Sequence, residues 1–470
     1  MKPFIMELKE RDPLRVFSAV EYLPYSLLLD SADLGHKDAR YSFVLSHPIE
    51  TIETKNGITT LTNWDEQTTH EVDPFEILQE RMKYWREQTD TARGLPPFQG
   101  GAAGLFGYDL GRIIEDLPEN AKDNPNMPDM AVGVYDSVIA FDHHKHQSWI
   151  ITHADDYTIA KKKQDYLLNL IEGVPTPAPE KSTFLNWNTN FSKFSYEKIL
   201  QKTIDYIKEG DIFQANIAQR FDASLPEDFS PFRHYLRLRN NNAAPFACYM
   251  NLGNIQISSA SPERFLSVRG GQVFTQPIKG TRPVSRDKAI DEATKETLLE
   301  SQKDKAENTM IVDLLRNDLS KVCVADSIDV SELCALETFA SVHHLVSTIR
   351  GELEKDKTAI DLLKACFPGG SITGAPKIRA MEIIEELEPT RRGPYCGSIG
   401  YIGFDGAMDT NILIRTLVFE DNNVSLQSGG GIVVDSIPAD EYQETLDKAK
   451  AMLRSFEDTE DDETSIPLAS

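Results

Sequence analysis

Cysteine is scarce in this 470-residue chain: five residues, odd in number and without a repeated spacing. That excludes a disulfide framework and fits a reducing compartment, with the cytoplasm as the expected location. Long apolar runs are also missing. None reaches about 18 residues, so no membrane span is expected. Met1-Lys2-Pro3-Phe4 opens without an apolar core, so no signal peptide is expected either. Basic residues are outnumbered, 49 Lys and Arg against 74 Asp and Glu, for a formal charge of −25. With no net basic footprint to neutralise phosphates, nucleic acid is excluded as an expected partner. An anionic substrate is not excluded, because a local cluster of cations can reverse the field inside a cleft. What is present is ordinary for a globular protein: 40% hydrophobic and 26% charged residues, in a chain long enough for one large core or two.

Residues 1–180 read as β-rich with a few helices. Ser26–Leu29 and Tyr41–Leu45 are strand candidates, and Phe75–Glu87 is a helix candidate. Gly100–Asp109 packs small residues closely. No strand–loop–helix context or Walker lysine makes it a nucleotide loop, so close backbone packing between sheets is expected. His143, His144 and His146 sit in a hairpin turn with no second ligand set, and solvated histidines are expected there. The proline-rich stretch 172–179 reads as a linker to a catalytic region over 190–455. Residues 456–470 read as an acidic, disordered tail.

Within the second region the sequence is organised around Gln276-Pro277-Ile278-Lys279-Gly280-Thr281-Arg282-Pro283. Strand-like Phe265–Val268, the turn Arg269-Gly270-Gly271 and Val273-Phe274 predict a hairpin that leads Lys279 to a sheet edge. Pro277 interrupts the ladder, and Gly280 lets a ligand approach bare backbone. Taken alone, Lys279 reads as a surface lysine in a turn. Tyr196–Glu209 predicts an amphipathic helix stopped by Gly210, followed by a strand over 212–219 whose Gln214, Asn216 and Ala218 share a face. Lys303–Leu319 predicts a helix on which Glu307 reads as an exposed acid. On a helix over 439–452, Glu441 and Glu444 share a face, which favours a cation between them. Asn411–Thr416 reads as a strand carrying the single cation Arg415, and Ser428–Val433 as a bare-backbone turn.

Pro277–Pro283 and Ser261-Pro262-Glu263-Arg264-Phe265 resemble the chorismate-utilising enzymes, and the likeness runs over essentially the whole chain, strongest from Phe194 to Leu453. Within that family the chain is most similar to the branch that aminates chorismate to 4-amino-4-deoxychorismate. The anthranilate-forming branch typically has alanine where this chain has Lys279. The resemblance implies an α/β (α+β) fold of large, mainly antiparallel sheets packed in layers with helices outside. It implies Lys279 as nucleophile, Glu263 as general acid/base and His344 beside the substrate ring, with His343 a neighbour. It implies magnesium on Glu307, Glu444 and Glu441, with Asp304 as a water-mediated ligand. Chorismate has two carboxylates, which suits a forked donor at Arg415 and close backbone approach at Gly430 and Gly431. Gly280, Thr281 and Thr373 complete the implied substrate contacts. Water-adding relatives carry a lysine base at the position of Gln214. A glutamine cannot deprotonate water, which suits an enzyme using ammonia. Asp30-Ser31 with Tyr41-Ser42 resembles the family's tryptophan pocket, although the family often has glutamate where this chain has Asp30. None of the five cysteines sits on a Gly-x-Cys-x-Gly elbow, so a separate glutamine amidotransferase subunit is the expected ammonia source.

Overall fold

The computed structural model describes residues 1–285, 287–338 and 342–457. The acidic tail read over 456–470 lies, from residue 458 onward, outside the described residues. Among the described residues the chain builds two twelve-stranded, mainly antiparallel sheets. No described helix is long and apolar enough to cross a membrane.

The sheets pack face to face. Leu27, Phe43, Met250 and Ile257 of the first share one buried cluster with Leu105, Ala131, Ile399 and Tyr401 of the second. Burying one such side chain contributes about 1.5–3 kcal/mol, so this layer is a main source of stability. Helices cover the outer faces. Lys193–Glu209 and Lys377–Leu387 bury Tyr196, Leu200, Ile383 and Ile384 against the first sheet. Gln302–Leu319 and Ala359–Cys366 bury Ile311, Leu315, Leu362 and Leu363 against the second.

Both sheets mix strands from before and after residue 180. In the first, Ser26–Asp30 pairs with Ala247–Asn251. In the second, Gly101–Phe106 pairs with Ser398–Gly403. The stretch 172–179 therefore joins two segments that complete the same sheets. A Cβ at Gly101 or Gly104 would strike the backbone of Ile402 or Ala131, so the small residues of Gly100–Asp109 serve strand-to-strand contact within a sheet.

Local chemistry sets the element ends that matter for the site. Lys193–Glu209 starts at Ser192, whose hydroxyl accepts from the Ser195 N–H, and stops at Gly210 in the left-handed region, φ 87°. Gln302–Leu319 starts at Ser301, whose hydroxyl accepts from the Asp304 N–H. Two readings need correction. Ser428–Val433 is not a turn: Asn423–Ile432 is a strand paired with Gln214–Ser224, and Gly431 lies opposite Asn216. Its glycines are needed because a Cβ at Gly429 would strike the Ile217 carbonyl and one at Gly431 the Gln214 amide. Asn411–Thr416 is not one strand either. The strand Met408–Asn411 ends in the second sheet, the chain crosses, and Thr416–Glu420 enters the first. Arg415 lies in that crossing with φ 52°.

Candidate active site

Lys279 lies on the strand Ile278–Pro283, which pairs with Val342–Glu352 beyond the break at Pro277. The register shifts between Lys279 and Thr281. Gly280 supplies this bulge with φ 70°, and a Cβ there would meet Leu298 at 2.9 Å and Asp304 at 3.0 Å. The bulge places the Lys279 amine 3.2 Å from the Ser371 carbonyl, to which it donates. The residue is half-buried, but its amine is enclosed. Burial lowers the amine's pKa, against the opposing pull of Glu307 and Glu263.

Glu263 follows Pro262 on the connection into Arg264–Arg269, held by the Ile412 N–H donating to its carbonyl at 3.0 Å. Its carboxyl is buried and accepts from the Ser371 hydroxyl at 2.9 Å. Burial pushes it up to about 7, against the Ser371 hydrogen bond and the Lys279 charge. Arg264 does not pair with it. That guanidinium faces the other way, 2.9 Å from both Asp409 and Asp38.

The acidic side of the site comes from two helices. Glu307 lies on Gln302–Leu319, and burial raises its pKa. Glu441 and Glu444 lie in the first half of Pro438–Arg454. Glu441 accepts from the Ser436 hydroxyl at 2.7 Å. For Glu444, burial acts to raise its pKa, but Lys448 at 2.7 Å outweighs it and the net shift is downward. Lys303 stands 3.6 Å from Glu441 and 4.0 Å from Glu307. A methyl at Gly430 would lie 3.4 Å from Glu441 Oε2 and 3.5 Å from Glu444 Oε1, so this glycine leaves a gap beneath both carboxylates. Among the described residues no three His, Cys, Asp or Glu side chains close on one point as a metal cage. An all-oxygen set bordering a gap fits a hard cation that takes its remaining ligands from water and substrate. Asp304 is engaged elsewhere, 3.2 Å from Arg282.

His344 is buried on Val342–Glu352. Its Nδ1 is 2.9 Å from the Thr281 hydroxyl and 3.2 Å from the Gly280 carbonyl. Burial, then Arg415, lowers it to about 4, so the ring is neutral at pH 7 with Nδ1–H toward the carbonyl. Burial also lowers the pKa of Arg415. His343 serves the fold. It bridges Asp291 and Thr338, each at 2.9 Å, and ties the helix Lys288–Glu300 to the sheet. Gln214 is buried, and its Oε1 accepts from no described donor. The Thr373 hydroxyl donates to the Gly369 carbonyl at 3.0 Å. The Lys377 amine is paired 2.5 Å from Asp318.

Geometry and charge thus link Lys279, Glu263, Glu307 and Glu444, while Gly430 links Glu441 to Glu444. The residues expected to form a tryptophan pocket make a separate group. Ser31 and Tyr41 line a cavity with Phe43, Phe246 and Tyr401. Ser42 does not line it: its hydroxyl donates to Asp30 and accepts from the Ser31 N–H, each at 3.1 Å. Sequence reasoning missed Ser371 and Lys448. Lys448 follows Glu444 at i+4, a readable pairing. Ser371 gave no signal, because its two contacts arise only from the fold.

Comparison with known proteins gives the family. The model of a family described as chorismate binding enzyme matches residues 26–454. Aminodeoxychorismate synthase component 1 of Escherichia coli K12 is 42% identical over 441 residues, 94% of this chain and 95% of that protein. Anthranilate synthase component 1 of Thermus thermophilus is 38% identical, covering 97% of each chain. The crystal structure of anthranilate synthase component I from Streptococcus pneumoniae superposes with a TM-score of 0.78 at 34% identity, over 88% of this chain and 92% of the other. The chain belongs to the family of chorismate binding enzymes.

Proposed function

We propose that this chain converts chorismate and ammonia to 4-amino-4-deoxychorismate. The observation that carries the reading is a buried lysine amine with a lowered pKa and a buried carboxyl near 7, both hydrogen-bonded to Ser371. Each shift runs in the direction its role needs. Glu263 protonates the C4 hydroxyl, and the C4–O bond breaks as water leaves. The neutral Lys279 amine forms a bond to C2 while the ring double bonds shift. Ammonia then adds at C4, the C2–N bond to Lys279 breaks, and the proton shed by the incoming nitrogen returns to Glu263. Arg415 holds one carboxylate of the substrate as a fork. Gly280, Thr281, Thr373, Gly430 and Gly431 offer backbone and hydroxyl contacts, and neutral His344 lies beside the ring. Gln214 cannot take a proton from water, which favours ammonia as the added nucleophile. Glu307 and Glu444, with Glu441 close by, would hold magnesium, which supplies positive charge for the ring carboxylate.

Ammonia would come from a glutamine amidotransferase subunit. No cysteine of this chain is activated: burial pushes the thiols of Cys248 and Cys396 up to about 12 and Cys323 up to about 11, and raises Cys334 and Cys366 as well. Five free thiols also suit the cytoplasm. The cavity at Ser31 and Tyr41, steadied by Ser42, would take tryptophan. Calorimetric titration of the protein with tryptophan tests this, and an absence of heat at millimolar ligand would refute it.

The test of the function is to incubate the purified chain with chorismate, magnesium and an ammonium salt and to identify the product by mass spectrometry. Aminodeoxychorismate retaining its pyruvyl group is expected. Anthranilate with free pyruvate would make it an anthranilate-forming enzyme instead, and binding without turnover would leave a sensor that kept the fold.

A further inference from the structure

We infer that Ser371 is the residue that positions nucleophile and acid against each other: its main chain orients the Lys279 amine, and its side chain selects which oxygen of Glu263 carries the proton. The inference rests on the amination reading above.

Ser371 lies in the single turn Gly370–Ile372, and it touches both reacting groups through different atoms. The Lys279 amine donates to its carbonyl at 3.2 Å, and its hydroxyl donates to Glu263 Oε1 at 2.9 Å. A neutral amine has two N–H groups and one lone pair. Committing an N–H to the carbonyl turns the lone pair away from the turn, toward the substrate. A hydroxyl donating to Oε1 makes that oxygen the acceptor, which assigns the acidic proton to Oε2 as the oxygen that meets the departing C4 hydroxyl.

The turn is rigid enough to act as a gauge. A Cβ at Gly369 would meet Ile412 at 2.9 Å and Phe265 at 3.3 Å, and one at Gly370 would meet Leu314 at 2.7 Å. The backbone is thus pressed between the helix that carries Glu307 and the strand that follows Glu263. The Thr373 hydroxyl closes it onto the Gly369 carbonyl. Ser371 is itself buried. The other groups acting on Glu263 are Lys279 and the Ile278 N–H from the adjoining strand, and Cys396, whose thiol stays neutral because burial pushes it to about 12.

The two functions of Ser371 separate by substitution. Ser371→Ala keeps the carbonyl and removes only the hydroxyl. The hydroxyl favours ionised Glu263, so its loss raises the carboxyl's pKa and moves the limb of the kcat/KM profile that Glu263 sets upward, by about one pH unit. With Oε2 no longer specified, kcat falls about tenfold while KM for chorismate changes less than about twofold. Formation of the Lys279 adduct without ammonia, followed by mass spectrometry, slows by the same factor. Ser371→Thr, which keeps a hydroxyl, restores limb and rate. Infrared titration of the Glu263 carboxyl reads the same shift without turnover, should the variant be inactive. A wild-type limb in Ser371→Ala, or a threonine variant no better than alanine, would overturn the assignment. If the unmodified chain makes no aminodeoxychorismate, the function itself fails. That result is distinct, because it precedes any substitution.

Discussion

Asp30 and Glu263 are both buried carboxylates, and the fold treats them in opposite ways. Asp30 accepts from Arg239 at 2.6 Å, from the Tyr235 hydroxyl at 2.9 Å and from the Ser42 hydroxyl at 3.1 Å. Glu263 accepts from one side-chain hydroxyl and from the Ile278 N–H, has no described cation bonded to it, and faces an amine that is itself enclosed. The first acid has the partners a buried charge needs, and it locks a strand end to the helix Pro231–Asn241. The second is under-supplied, which leaves its proton exchangeable near pH 7. Paired charge holds structure, while charge left partly unpaired can move protons.

Four measurements would break or sharpen that contrast. The largest effect belongs to the partner of the under-supplied acid: Lys279→Ala should lower chorismate turnover by about 10³-fold or more, measured as product formation. Chelation should follow. Removing magnesium with EDTA should cost on the order of 10²-fold in rate, with recovery on adding magnesium back; unchanged turnover in chelator would dismiss Glu307, Glu441 and Glu444 as ligands.

Glu263→Gln should lower kcat/KM by about 10²-fold. On the proposed mechanism the reactive form has Glu263 protonated and Lys279 neutral. Rate should therefore pass through a maximum and fall on both sides of it, with the Glu263 carboxyl near 7 and the lowered Lys279 amine as the two titrating groups. Glu263→Gln should erase only the limb that Glu263 sets. The same variant should melt higher than wild type at pH 8 but not at pH 5. A raised carboxyl pKa stabilises the fold below the unfolded value, and that stability is lost as pH rises through about 7. Asp30→Asn should do the reverse: lose about 3 kcal/mol of stability by leaving Arg239 uncompensated, with turnover per folded molecule changed less than about twofold. A thermal scan at both pH values reads the two variants side by side.

Local chemistry made much of this legible in the sequence. Ser192 and Gly210 bracket their helix because caps and left-handed glycines act within a few residues. The Gly270-Gly271 turn closes a hairpin for the same reason: both residues take positive φ, 58° and 82°. The failures are all non-local. Gly429–Gly431 looked like a turn, because a glycine run does not reveal that a neighbouring strand forbids side chains there. Arg415 looked like a strand residue, since the crossing between sheets depends on two pairings far away in sequence. Ser371 was silent, because a serine acquires its role only when Lys279 and Glu263, 108 residues before it in the latter case, fold onto it. Overall identity favours the aminodeoxychorismate synthases by a narrow margin, 42% against 38%.

The central claim is a covalent step at Lys279. The direct measurement is to quench the protein with chorismate and magnesium, without ammonia, and to map the mass shift by peptide mass spectrometry. The account predicts an adduct on the peptide carrying Lys279, discharged when ammonium is added and absent from Lys279→Ala. An adduct that survives Lys279→Ala, or turnover to aminodeoxychorismate in that variant, would contradict it.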